Sequence, residues 1–372
     1  MFAAKVDRTH VERVTTRFYR PELDGLRFFA FLVVLIHHGP SSPGLPDMVT
    51  RAGAFGLSMF FLLSAYLITE LLVREREQTG TIAWRLFFTR RALRIWPLYY
   101  AALAGAFVIG QIYGHHMWMS GWSATAMAFF VANWFRLPEQ LSSLVAPLWS
   151  ISVEEQFYLI WPPILKAGGK KLAFVAAILF LVVAAIYIPA FSARGWKLWY
   201  DTPVEFIFFA AGVLIALATH RRPEIRLGGA ARAILLAAGL AALAAAAHYG
   251  GIGTDHEEGI TAAQAYAGFG GALVGCSLIF YSTLGIRRIP EPLIYLGKIS
   301  YGLYVFHAAI IGILEKVTAS LEPRVSTLSY MVLVDVLALA ASILAAHLSY
   351  RYFEKPFLKL KERFEVVRSR PA

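Results

Sequence analysis

Residues 20–40 read RPELDGLRFFAFLVVLIHHGP, a run of membrane-type residues that carries Arg27 near its start and His37 and His38 at its end. An apolar run of this length reads as a membrane-spanning helix. A plain anchor has no use for an arginine and two histidines, and ionisable groups inside a span are costly enough to mark a site or a pathway. Two expectations follow: an all-α polytopic bundle, and a site that begins with this helix.

Composition supports the first expectation. The chain has 372 residues, of which 58% are hydrophobic and only 16% charged, and its mean hydropathy is +0.57. That balance fits a helical membrane protein rather than a soluble domain. The apolar runs are long rather than alternating, which excludes a membrane β-barrel. A single cysteine, Cys276, rules out a disulfide framework or a cysteine metal site. The opening MFAAKVDRTHVERVTTRFYR has no apolar core of the secretory type, so the first span is expected to serve as its own insertion signal.

The net charge of +11 could suggest nucleic acid. Its distribution argues against that partner, because the basic residues cluster at the ends of apolar runs. Lys5, Arg8, Arg13, Arg17 and Arg20 form one group, Arg85, Arg90, Arg91 and Arg94 another. Further groups are Arg221, Arg222 and Arg226, then Lys355, Lys359, Lys361 and Arg363. Eleven apolar segments can be drawn, at 24–39, 53–73, 95–113, 123–135, 147–165, 171–189, 203–219, 231–248, 261–284, 298–317 and 328–350. Counting loop charges from both termini agrees only if SATAMAFFVANWF, residues 123–135, does not cross. The expectation is about ten spanning helices plus one re-entrant or outer-surface helix, with both termini in the cytoplasm. Residues 1–23 then form a basic N-terminal segment, 24–353 the transmembrane domain and 354–372 a basic tail. The glycines of AGFGGALVG and the small residues of LAAGLAALAAAA read as close helix packing.

Several intramembrane groups could carry chemistry. Arg27 and His38 are eleven residues apart, roughly 16 Å of rise, and eleven steps of about 100° return them to one helix face. His37 points elsewhere, and Asp24 with Gly25 reads as the helix N-cap. In PLWSISVEEQFYLIWPP, residues 147–163, Glu154 lies about 10 Å below the outer surface, a depth that matches His38. A carboxylate beside an imidazole makes it a better general base. In RRALRIWPLYY, residues 90–100, Arg91 and Arg94 share a face one turn apart and suit phosphate groups. Each has a plainer reading: an interfacial histidine, a structural ion pair, an arginine anchor at the membrane surface. His307, within KISYGLYVFHAAI, could line the same cavity or hydrogen-bond Tyr301 or another neighbour. No HExxH, CxxC or phosphate-binding glycine loop is present, and no convincing metal or haem ligand set can be drawn.

These pieces resemble the acyltransferase-3 family of integral membrane acyltransferases. The resemblance rests on LDGLR followed by ten residues and a histidine, which sets Arg27 and His38 in the motif. It is supported by RALRIWP, LWSISVEEQFYLIWP, ISYGLYVFH and YRYFEKPF, in family order from residue 20 to 357. What it implies is an O-acyltransferase of the cell envelope, without a resident cofactor, that takes an acyl group, most often acetyl, from acyl-CoA. The acceptor would be a hydroxyl of a carbohydrate, a lipid-linked saccharide or another membrane-borne or extracytoplasmic molecule. His38 would be essential to transfer with Arg27 on the same helix, Arg91 and Arg94 would hold the donor, and Glu154 matches the family's carboxylate. DTPVEFIFFAAG carries Glu205 but lacks an arginine often found there. The competing expectations are a transporter or proton-coupled carrier with His38, Glu154 and His307 as a relay, and a non-catalytic scaffold.

Overall fold

The computed structural model describes residues 18–40, 45–113, 121–135, 145–192, 194, 198–220, 225, 227–251, 260–367 and 369, and every regular element among them is helical. Lys5, Arg8, Arg13, Arg17, Arg221, Arg222 and Arg226 lie outside the described residues, as does most of the expected loop at 250–259.

Helix α1 (Pro21–His38) starts earlier than the sequence suggests, with Arg20 at the N-cap position. Proline at the first helical position has its φ preset and loses no hydrogen bond there. Asp24 therefore sits inside the helix rather than capping it. It accepts from Arg27 Nη1 at 2.8 Å and from the Tyr19 hydroxyl at 2.9 Å. The short helix α2 (Leu45–Gly53) leads into α3 (Phe55–Thr79), which is buried along most of its length between α1 and its other neighbours. Then come α4 (Trp84–Tyr113) and α5 (Gly121–Ala128). Eight residues of helix extend only about 12 Å, so α5 is too short to cross a bilayer.

Helix α6 (Trp149–Ser192) is two helices in one. At Gly169 the backbone takes φ 58°, a left-handed conformation glycine adopts without penalty. The chain turns back there: the Trp161 and Phe180 rings lie 6.5 Å apart, where a straight helix would separate them by about 28 Å. This is the turn that Lys166, Lys170 and Lys171 mark in the sequence. Next are α7 (Thr202–Thr219) and α8 (Gly229–Tyr249). Helix α9 (Ala262–Ala265) continues through a π-helical turn at Tyr266–Gly270 into α10 (Gly271–Thr283). The small-residue faces of α8 and α10 pack directly on each other, with Gly239 against Gly275 and Ile279.

Helix α11 (Glu291–Lys298) meets α12 (Ser300–Thr318) at a bend of 70°. Gly297 is jammed against α1 at that bend: a Cβ there would come within 1.9 Å of the Asp24 carbonyl oxygen. Helix α13 (Thr327–Ser349) passes through a π-helical turn, Tyr350–Glu354, into α14 (Lys355–Glu362). Among the described residues, seven helical stretches are long and apolar enough to cross a membrane, or eight with the bent pair. The expected count of about ten also separates the two halves of α6 and includes α1, whose Glu22, Asp24 and Arg27 lower its apolarity. Phe129, Val175, Ile186, Ile234 and Val317 are each more than half exposed on the outside of the bundle. Lipid, not water, is the solvent such a surface requires.

Arg27, Arg91 and Arg94 gather at one end of the bundle, the basic end, and His37 and His38 stand toward the other. Just past α7 at the basic end, His220 bridges two carboxylates of α3. Its Nδ1 is 2.8 Å from Glu70 Oε2 and its Nε2 2.8 Å from Glu77 Oε2. Lys170 reaches the same Glu77 at 2.5 Å. With an acceptor at each ring nitrogen the imidazole is held as the cation, and its pKa is raised above 6.5, first by the Glu70 hydrogen bond and then by Glu77. A raised folded-state pKa gives stability that is complete below the unfolded value and fades as pH climbs through the folded one. Raising the pH from about 6 to about 9 is therefore expected to lower the unfolding midpoint of the wild type more than that of His220→Gln. Thermal unfolding in detergent micelles checks this, and parallel pH profiles for the two proteins would contradict it.

Candidate active site

Two adjoining cavities run inward from the basic end and share Arg27, Ser64, Arg91 and Arg94 in their walls. The outer of the two, the mouth, is lined by seven basic side chains against three acidic ones. Arg91 and Arg94 project into it from one face of α4, ahead of the proline at position 97. The Arg91 guanidinium lies 5.4 Å from the ring centres of both Phe87 and Tyr158. It forms no ion pair among the described residues. Stacking fixes its plane while leaving its donors for an anion.

Glu154 lines the deeper cavity. Its carboxylate is held by the hydroxyls of Ser64 and Tyr158, themselves 2.7 Å apart, and lies in the field of Arg91 and Arg27. Glu155, the next residue, turns away toward the Trp96 indole of α4. Arg27, Arg91 and Arg94, the residues expected to hold the donor, thus meet in one connected space, and Glu154, expected beside His38, lies with them instead.

His38 does not join them. It lies exposed on a separate cavity of about 280 Å³, whose other walls include Pro147, Trp149, Tyr200, Ile311 and Glu315. The expected contact between His38 and Glu154 at one depth is not formed. His38 is level with Pro147 and Trp149, whereas Glu154 lies five residues further along α6, a rise of about 7.5 Å.

A knot of hydrogen bonds separates the two spaces. The Tyr304 hydroxyl donates to the Pro147 carbonyl at 2.6 Å and lies 2.7 Å from Ser150 Oγ, which itself donates to Pro147 O at 3.1 Å. Ser150 and Tyr304 line the Glu154 cavity, and Pro147 lines the His38 cavity.

The neighbour of His38 is His307, fully buried one turn along α12 from Tyr304. His307 Nδ1 is 2.6 Å from the Tyr304 carbonyl, and an N–H must donate there because a carbonyl only accepts. Its Nε2 is then an acceptor, 3.3 Å from His38 Nδ1. His38 Nδ1 is also 2.9 Å from the Val34 carbonyl, so it too carries the proton. The chain of donors assigns one tautomer to each ring and leaves His38 Nε2 as a bare lone pair, with no protein partner among the described residues. His37 is occupied elsewhere, its Nδ1 donating to Thr50 O at 2.9 Å. The Tyr301 hydroxyl, a candidate partner for His307, instead donates to the Ile95 carbonyl at 2.8 Å.

Sequence reasoning missed Ser150, Tyr304 and Trp149. Their signal was present, since each falls within a motif already quoted, but a hydroxyl in a span usually bonds its own helix. Glu205 is fully buried on α7 beside Cys276, away from all three cavities. Among the described residues, no group of three or more His, Cys, Asp or Glu side chains is placed to hold a metal ion.

Residues 20–347 match the acyltransferase domain family. The chain belongs to that family, the acyltransferase-3 family its motifs resemble, and its long apolar helices are those of an integral multi-pass membrane protein. It is 27% identical to the peptidoglycan O-acetyltransferase OatA of Listeria monocytogenes, over 93% of this chain and 57% of that protein. It is 28% identical to the putative peptidoglycan O-acetyltransferase YrhL of Bacillus subtilis, over 91% of this chain and 55% of that one. A putative O-acetyltransferase of Staphylococcus aureus is 26% identical over 95% of this chain and 59% of its own length. The chain thus spans little more than half the length of these curated relatives. No solved structure matches.

Replacing Tyr304 with Phe removes one of the two hydroxyls that donate to the Pro147 carbonyl. The expected loss is about 1–3 kcal/mol of stability, that of a buried hydrogen bond broken on one side. A thermal midpoint unchanged from wild type would show that the knot does not hold α12 to the start of α6.

Proposed function

We propose that this protein is an O-acyltransferase that carries an acyl group, acetyl in the simplest case, from acyl-CoA at the basic end to a carbohydrate hydroxyl at the His38 end. The observation that carries the reading is the placement of a cationic cavity and a bare imidazole nitrogen on opposite sides of one thin partition. In this reading the basic end faces the cytoplasm and both termini lie there, in a bacterial cytoplasmic membrane.

The donor's phosphates bind Arg91 and Arg94, with Arg27 below them. Glu154 steadies Arg91 and Arg27 from the deeper cavity. The pantetheine arm, narrow and uncharged, runs along that cavity to Ser150 and Tyr304, where their knot must loosen to admit the thioester. His38 Nε2 takes the proton of an acceptor hydroxyl as its oxygen bonds to the thioester carbonyl carbon. The tetrahedral intermediate collapses, the carbon–sulfur bond breaks, and the His38 Nε2 proton passes to the leaving thiolate.

The His38 cavity supports a sugar acceptor. The Trp149 and Tyr200 rings meet at 4.9 Å along its wall, and aromatic faces suit the C–H face of a pyranose. Trp149 is 95% buried, yet its indole N–H has no acceptor among the described residues, and Glu315 adds a hydroxyl-binding carboxylate. The names of the relatives support the same acceptor class.

Purified protein with labelled acetyl-CoA tests the proposal. His38→Ala is expected to slow thioester turnover by about 10²–10⁴, the contribution of a positioned base. His307→Ala removes one of the two acceptors at the His38 Nδ1 proton, leaving the Val34 carbonyl alone to orient the ring, and should cost at least about tenfold in rate with CoA affinity unchanged. Wild-type turnover in His38→Ala would overturn the assigned base, and wild-type turnover in His307→Ala the tautomer chain.

A further inference from the structure

The mouth of the basic cavity is not built from the family-matched residues alone. Beyond residue 347 the chain continues into α14 and a following stretch, and Leu358, Lys361, Glu365, Val367 and Ser369 all line the mouth. This stretch is fastened in place. Arg90 Nη1 donates to the Phe364 carbonyl at 2.8 Å, and the same guanidinium is paired with the buried Glu75 at 3.3 Å. Leu358 is buried against the core that contains Phe28 and Leu303.

Lys361 is the chemically unusual member. Its side chain is only 13% exposed, and among the described residues its one ion pair is with Glu365, 3.3 Å away and four residues on. It faces Arg94 and Arg91, whose charges repel its own. Lys361, Arg91 and Arg94 all line the mouth, so an anion entering it meets three cationic donors together.

The order of the cations along the cavity carries the assignment. Arg91 and Arg94 line both the mouth and the deeper cavity, while Lys361 and Lys298 line the mouth alone. In an acyl-CoA whose thioester points inward, the pyrophosphate lies nearer the thioester and the ribose 3′-phosphate further out. That phosphomonoester is close to a dianion at neutral pH and needs the denser positive field. We propose, resting on the donor reading above, that Lys361 binds the 3′-phosphate of acyl-CoA, making α14 part of the donor site.

The test compares CoA with dephospho-CoA, which lacks only that phosphate, by titration calorimetry on the full chain in detergent. Wild type is expected to bind CoA about tenfold more tightly than dephospho-CoA, the worth of one charge-assisted contact. Lys361→Gln should lose this preference by weakening CoA alone, and Lys361→Arg should retain it. Arg91→Ala combined with Arg94→Ala should weaken both ligands together. Equal affinities for the two ligands in wild type would overturn the assignment without recourse to any variant, as would an undiminished preference in Lys361→Gln. A wild type that binds neither ligand would instead remove the donor reading itself.

Discussion

The 2.6 Å hydrogen bond from the Tyr304 hydroxyl to the Pro147 carbonyl is where the two halves of the site are joined and kept apart. The residue works from both ends. Its side chain ties α12 to the start of α6, and its backbone carbonyl fixes the proton on His307, which turns an acceptor toward the His38 Nδ1 proton that the Val34 carbonyl also holds. A low-dielectric interior makes each of these bonds costly to leave unmade. Stability and chemistry therefore draw on the same few atoms, and a change that frees the partition also disturbs the base behind it.

The electrostatics are arranged along the same line. Cations gather at one end, and their counter-charges are graded: Asp24 for Arg27, Glu75 for Arg90, Glu154 in the field of Arg91. At the other end, among the described residues, the imidazoles of His37, His38 and His307 hydrogen-bond only to carbonyls and each other. An imidazole whose Nδ1 proton is held by a carbonyl keeps its Nε2 lone pair for an incoming proton.

Much of the architecture was legible because lipid enforces a simple rule, that every spanning backbone group be satisfied within its own helix. Apolar length and the basic clusters mark the helices, and the lysines around Gly169 mark the reversal inside α6. Asp24 misled because Pro21, a stronger start signal, lay three residues before it. The Glu154–His38 pairing failed for a different reason. Depth can be counted along one helix, but the count assumed a regular helix from Pro147, whereas Ala146–Leu148 form a 3₁₀ turn before α6 begins. Which side chains face each other across helices depends on packing rotations that one sequence does not encode locally. His307 could be seen as a histidine in a span, but its partner, the Tyr304 carbonyl, leaves no mark in residue type.

Helix α1 has a consequence for how the protein is made. It carries Glu22, Asp24 and Arg27 in its first two turns and histidines in its last; Glu22 and Asp24 are buried, and the helix packs against α11 and α12 near the other end of the chain. When α1 leaves the ribosome those partners do not yet exist, and a helix so charged partitions poorly into lipid by itself. The order of synthesis runs against the order of packing. The helix that bears the reactive imidazole must be sheltered by the insertion machinery, or by α3, until the late helices close over it.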